Sequence, residues 1–333
     1  MDDIILEVKH ISKYFGTFAA NKNIDLKVKK GTVHSIIGEN GAGKSTLMNM
    51  ISGIYQPSQG EIYVKGEKVV FRNPNDATKR GIGMVHQEFM LFPELTILEN
   101  LMMGFETTKT GRFLDKKKAA ADIEEITKKY NFSIPLNQKA EELPVSLLQQ
   151  VEIVKVLYKG AELIILDEPT AVLTPQGIEG LFAAIRNLTK LGKTIIMITH
   201  KLKEVMEISD YITVLKDGEV TGNLLPQETN EEEMASLMVG RKVLFNTTKR
   251  EKQVGEPILE VKNLTVSDGD GVERVKNVSL TVRKGEIVGI AGVAGSGQSE
   301  LVEAIFGLRK PKSGDIYYKK ELITSKTPRE KRQ

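Results

Sequence analysis

Apolar and polar positions along the chain follow three distinguishable patterns. Ile24, Leu26 and Val28 interleave with Asp25 and Lys27. That period of two predicts a half-buried, antiparallel-type strand. Runs at 33–37, 82–86, 163–167 and 194–199 are apolar almost throughout. Such runs read as strands buried on both faces of a parallel sheet. Helical periodicity follows at 44–52, 175–191 and 201–208. Asp217-Gly218, between Tyr211-Leu215 and Glu219-Gly222, predicts a hairpin. From about 95 to 160 the pattern is mostly helical, so a helical subdomain is expected between the early strands and the run at 163–167.

The same pattern occurs twice. Asn23-Ile24-Asp25-Leu26-Lys27-Val28-Lys29-Lys30-Gly31 recurs as Asn277-Val278-Ser279-Leu280-Thr281-Val282-Arg283-Lys284-Gly285. One constant spacing then pairs Gly38 with Gly292, Gly43 with Gly297, Gly53 with Gly307 and Gly60 with Gly314. This is duplication of a whole domain rather than a short solenoid repeat. The second copy runs out soon after Ile316-Tyr317. The expected organisation is a first domain over 1–245, with its helical subdomain at about 95–160, a linker over 246–256 and an incomplete second domain over 257–333. The linker is read from its polar run Lys249-Arg250-Glu251-Lys252.

Composition narrows the chemistry. With 333 residues, 40% apolar and 27% charged, the chain has the make-up of soluble globular protein and the length for two domains. Lys+Arg 47 against Asp+Glu 44 leaves a net charge of +3, without the basic excess of a dedicated nucleic-acid binder. No nucleic-acid partner is therefore expected. Cysteine is absent, which excludes disulfides, thiolate catalysis and Cys-ligated zinc. The acidic start Met1-Asp2-Asp3 is unlike a secretory leader, and no apolar run approaches the roughly 20 residues of a membrane-spanning helix.

Gly38-Glu39-Asn40-Gly41-Ala42-Gly43-Lys44-Ser45-Thr46 matches the phosphate-loop pattern G-x-x-x-x-G-K-[ST], with an apolar run before it and a helical pattern after it. Glycines let successive N–H groups turn inward around phosphates, and the helix N-terminus adds positive potential. In such a loop Lys44 reaches the β- and γ-phosphates of a nucleotide, and the Ser45 hydroxyl ligates Mg²⁺. The run at 163–166 ends in Asp167-Glu168. Carboxylates are costly at a buried strand end unless used; beside a phosphate loop, Asp167 would hold Mg²⁺ through water and Glu168 would polarise the attacking water. His200 follows the run at 194–199, at the strand end where parallel sheets bind ligands.

Taken together these stretches resemble an ATP-binding cassette (ABC) ATPase. Residues 38–46 resemble its Walker A loop, and 163–168 its Walker B strand with the catalytic glutamate; His200 resembles its switch histidine. Gln87, in Gly83-Met84-Val85-His86-Gln87-Glu88, matches the Q-loop glutamine, a further metal ligand, and Ala171-Val172-Leu173-Thr174 sits where the D-loop belongs. Phe15 matches the aromatic that stacks on adenine, with Tyr14 as the neighbouring candidate. The resemblance implies an α/β P-loop NTPase fold: a cassette with an antiparallel β subdomain and an inserted helical subdomain, followed by a partial second cassette. The tandem arrangement is similar to the ATP-binding subunits of sugar and nucleoside importers. Residues 81–87, 167–176 and 295–305 look most like the nucleoside branch, with ribose- and galactose-type importers as the alternative. ATP and Mg²⁺ would be the cofactors. The resemblance also implies transmembrane permease subunits docking near 87–100, an extracytoplasmic solute-binding protein in the same system, and a peripheral location on the cytoplasmic face of the membrane. Phe89, Met90, Leu91, Phe92 and Leu95 supply an apolar surface in that docking stretch.

Two departures bear on activity. In the signature motif Leu-Ser-x-Gly-x-x-Gln, Pro144 replaces the serine and Ser146 the first glycine. Pro144 offers neither hydroxyl nor N–H, while Ser146 is expected to cap a helix beginning near Leu147. In the second phosphate loop Gln298 replaces the lysine, although Ser299 remains. Losing one preorganised cationic donor costs on the order of 10²–10³ in rate. In the head-to-tail pairing that the resemblance implies, Pro144, Ser146, Gln298 and Ser299 fall in one composite site. One hydrolytic and one degenerate site are therefore expected, with weak turnover by this chain alone. A soluble tandem ABC ATPase of translation or DNA repair fits less well, because those carry two competent loops and a long charged connector.

Overall fold

The computed structural model describes residues 3–105, 108–109, 113–241, 254–293 and 295–332. The chain divides into two compact units, Met1–Phe245 and Asn246–Gln333. Of the expected linker at 246–256, residues 246–253 lie outside the described residues.

In the first unit β1 (Ile4–Phe15) and β2 (Phe18–Lys29) form an antiparallel hairpin, followed by β3 (Val33–Ile37) and α1 (Lys44–Ile51). Next come β4 (Gln59–Val64), β5 (Glu67–Val69), α2 (Pro74–Lys79) and β6 (Ile82–Val85). The insertion holds α3 (Ile97–Met102), the short pair β7 (Thr108–Lys109) and β8 (Phe113–Leu114), α4 (Lys116–Tyr130) and α5 (Val145–Tyr158). The chain then runs through β9 (Leu163–Asp167), α6 (Pro175–Lys190), β10 (Thr194–Thr199) and α7 (Leu202–Ile208). It continues with β11 (Tyr211–Lys216), β12 (Glu219–Leu224) and α8 (Glu231–Val239).

Two sheets result. One is antiparallel, in the order β2-β1-β4-β5; the other has the order β12-β11-β3-β10-β9-β6 and is parallel except for β12. The period-two pattern in β2 buries Ile24, Leu26 and Val28 and leaves Asp25 and Lys27 in solvent. β3 is buried at every residue because β10 and β11 flank it and both sheet faces are covered. Ile36 packs with Leu6, Ile11 and Ile24 of the antiparallel layer, while Val33 packs with Phe182 and Ile185 of α6. Ile97, Ile123 and Val151 join that second cluster, so the helical insertion shares a core with the sheet.

One expectation is corrected. The helix expected near Leu147 begins at Val145, with Pro144 as its N-cap at φ −66° and ψ 150°. The Pro144 carbonyl accepts from the N–H groups of Leu147 and Leu148, at 2.9 and 3.1 Å. Ser146 lies inside the first turn and does not cap the helix. The reason is that proline's fixed φ and missing N–H suit a helix start, where no intrahelical partner is lost.

In the second unit β13 (Pro257–Ser267), β14 (Glu273–Arg283), α9 (Gln298–Phe306), β15 (Ser313–Tyr318), β16 (Glu321–Leu322) and α10 (Pro328–Lys331) follow in order. Its sheet, β14-β13-β15-β16, repeats the strand order of the first antiparallel sheet. Val261, Leu264, Val275, Leu301 and Ile316 form its core.

Candidate functional site

The turn from β3 into α1 is made of glycines for steric reasons. Gly41 and Gly43 have φ of +86° and +95°. A Cβ at Gly43 would collide with the Ala20 carbonyl oxygen, and one at Gly38 with that of Leu215. The Lys44 ammonium folds back over the loop and donates to the carbonyls of Gly38 at 2.7 Å and Glu39 at 2.9 Å. Burial lowers the Lys44 pKa, while the nearby charges of Glu168 and Asp167 raise it.

β9 and β10 deliver the acidic side of the site. Burial pushes the Asp167 carboxyl up and the Glu168 charge adds to that, while His86, Lys44 and a hydrogen bond from Ser45 oppose the rise. Glu168 has a φ of +46°, a costly conformation for a residue with a side chain, and its N–H donates to the Ile198 carbonyl at 2.9 Å. That turn aims its carboxylate at His200, with Oε1 2.8 Å from Nδ1. The other oxygen, Oε2, is buried and has no protein partner among the described residues. An unpaired buried acceptor costs roughly 1–3 kcal/mol, which a donor arriving at that oxygen would relieve. The segment after Glu168 is anchored as well: buried Thr170 donates to Glu204 at 2.6 Å and accepts from Lys201 at 2.9 Å.

A cleft of about 370 Å³ brings Asn40, Gly41 and 43–46 together with Gln87, Asp167 and Glu168. Ser45, Gln87 and Asp167 give it hard oxygen donors, the set a small divalent cation takes. Phe15 does not line this cleft; its ring packs edge-on against Tyr55, at 5.5 Å and 78°. The aromatic on the cleft wall is Phe18, 64% exposed and opposite Phe15 in the β1–β2 register. Phe18 is not among the residues the sequence motifs single out; the available signal was its place just across the Gly16-Thr17 turn.

Pro144 and Ser146 stand at the start of α5, apart from this cleft. In the second unit Gly295 and Gly297 repeat the positive φ values at +81° and +91°. Gln298 Nε2 donates to the Ile290 carbonyl at 3.3 Å, where Lys44 donates to two carbonyls of its own loop at 2.7 and 2.9 Å.

The parallel sheet, glycine turn and strand-end carboxylates define a P-loop nucleotide-binding cassette. A family profile described as ABC transporter matches residues 21–171 and 275–333. The chain belongs to the ABC transporter family. It is 50% identical over 327 residues to the guanosine import ATP-binding protein NupO of Bacillus subtilis, covering 98% of this chain and 64% of that protein. It is 45% identical over 328 residues to the nucleoside import ATP-binding protein NupA of Lactococcus lactis, covering 98% and 65%. A ribose import ATP-binding protein of Streptococcus agalactiae is 39% identical, covering 97% and 64%. The chain thus spans less than two thirds of these relatives' length. Among solved structures, an ATP-binding cassette of an ABC transporter in its ADP conformation superposes with a TM-score of 0.61. It is 28% identical, covering 71% of this chain and 95% of the other.

Proposed function

We propose that this chain binds Mg-ATP in the first-unit cleft and hydrolyses it to drive nucleoside import. The observation that carries the reading is the Glu168–His200 pair set against Lys44, Ser45 and Asp167 around one cleft. The loop N–H groups and Lys44 hold the phosphate chain; Ser45, Asp167 and Gln87 supply the cation's protein oxygens. Those residues would hold a magnesium ion, which when bound would neutralise charge developing on the phosphate oxygens. Glu168 Oε2 accepts a proton or hydrogen bond from the attacking water, and His200 fixes the carboxylate through Oε1. Gln298 leaves the second phosphate loop without the cation that Lys44 gives the first, so turnover rests on the first loop.

The named activities of the guanosine and nucleoside import relatives support nucleosides as the solute; the same cleft serves equally in a sugar importer, which the ribose relative keeps as the second reading. No helix among the described residues is long and apolar enough to cross a membrane. The import role named for the relatives supports permease subunits and a solute-binding partner, with the chain on the cytoplasmic face. Met90 and Phe92, 54% and 51% exposed, offer the apolar docking surface within 87–100, whereas Leu91 packs into the helical core. The test is Glu168→Gln. Mg-ATP binding by calorimetry stays near wild type, while ATP turnover and nucleoside uptake by the assembled transporter fall roughly 10²–10⁴-fold. Undiminished turnover in that variant rejects the reading, and uptake of ribose but not guanosine selects the sugar alternative.

A further inference from the structure

The irregular stretch between β6 and α3 is held by side chains that bond both the N–H and the carbonyl of two of its residues. The Met90 N–H donates to Glu152 Oε1 at 2.8 Å, and the Met90 carbonyl accepts from Lys155 Nζ at 2.7 Å. Two residues on, the Phe92 N–H donates to Asn100 Oδ1 at 2.7 Å, and the Phe92 carbonyl accepts from Asn100 Nδ2 at 3.0 Å. The gripped residues are the two whose apolar side chains stand in solvent.

The two grips differ in origin. Asn100 is local, on α3. Glu152 and Lys155 come from α5, three positions apart and hence on one helix face. Glu152 is only 4% exposed, and burial raises its pKa. A carboxylate sunk in a core is destabilising unless bonded, so packing alone does not call for glutamate at this position. Fourteen residues of α5 make a stiff rod about 21 Å long. Pro144 is its N-cap, and Ser146 lies in its first turn.

We infer that Glu152 and Lys155 are positioning residues that fasten the Met90–Phe92 surface to α5, so that the docking surface and the Pro144 end of the helix move as one body. The inference rests on the docking reading above. It assigns to the buried carboxylate a mechanical role: movement of the permease at Met90 is passed to α5 through the Met90 backbone rather than dissipated in an irregular loop.

The experiment compares Glu152→Ala, Glu152→Gln and Lys155→Met in the assembled transporter, reading solute moved per ATP hydrolysed. Glu152→Ala lowers that ratio about tenfold, and Lys155→Met lowers it about threefold, as loss of one hydrogen bond of each strength implies. Glu152→Gln restores most of the ratio, because its amide oxygen accepts the same N–H. A wild-type ratio in Glu152→Ala, or an equal fall in Ala and Gln, overturns the inference. If Glu152→Ala does not assemble, the partly exposed Lys155 decides, and an unchanged ratio in Lys155→Met overturns it. The docking reading fails separately: permease association untouched by Phe92→Asp removes it, whereas association lost in Phe92→Asp with an unchanged ratio in Glu152→Ala leaves docking standing and refutes the coupling.

Discussion

Val33–Ile37 and its repeat counterpart at 287–291 begin from similar apolar runs and end differently. The first is a strand buried at every residue between β10 and β11. In the second, Ile287 is 98% exposed and residues 286–290 form no strand among the described residues. The glycine turns that follow are nevertheless alike, Gly43 at φ +95° and Gly297 at +91°, each leading into a helix. The antiparallel sheets also keep the same order. Turns, helix starts and hairpins are specified by nearby residues, whereas a parallel strand exists only when distant segments supply its neighbours. The chemistry diverges as well, because the loops share glycines but not the cation, Lys44 against Gln298.

Exchanging that cation is the most severe way to break the comparison. Lys44→Gln gives the first loop the second loop's residue. Steady-state ATP turnover in the assembled transporter falls on the order of 10²–10³-fold, the cost of one preorganised donor. An unchanged rate would mean that the two loops are chemically equivalent.

His34 sharpens the comparison at the level of stability. It is buried in β3, bonded through Nε2 to Thr213 at 2.8 Å, and stands where the repeat has Val288. Burial lowers its pKa from 6.5 to about 4. The unfolded chain therefore takes up a proton that the folded unit refuses. The His34 contribution is full above pH 6.5 and is lost as pH falls toward about 4. The loss amounts to roughly 3 kcal/mol. In His34→Val, urea unfolding of the first unit loses that part of its acid sensitivity; an unchanged slope between pH 6.5 and 4 would show that His34 does not govern it.

The smallest effect concerns the aromatic wall. Phe18→Ala weakens Mg-ATP binding by about tenfold, within the roughly 1–3 kcal/mol of a base stacked on an aromatic ring. Phe15→Ala, whose ring packs on Tyr55, changes binding less. The reverse ranking by calorimetry would return the adenine contact to Phe15.

Much of this site is legible in the sequence, because its chemistry sits at the ends of strongly patterned elements. The loop at 38–46, the Asp167-Glu168 pair and His200 each close an apolar strand, and the strand order brings them together. Phe18 is not legible in the same way: a single aromatic in a hairpin carries no periodicity, and the register that sets it opposite Phe15 is a tertiary fact. The Glu152–Met90 bond is hidden for a related reason, since it links a helix to a loop 62 residues earlier and no local pattern marks either end. The helix start at Val145 is hidden in the sequence because Ser146 offers a cap by composition, while the Pro144 backbone already begins the turn.

The claim on which the rest depends is that one of the two glycine loops grips nucleotide and the other does not. Calorimetric titration of the chain with Mg-ATP tests it most directly. The account predicts one strong site per chain, abolished in Lys44→Ala and unchanged in Gln298→Ala. Two equal sites, no uptake of nucleotide, or loss of uptake in Gln298→Ala alone would contradict it.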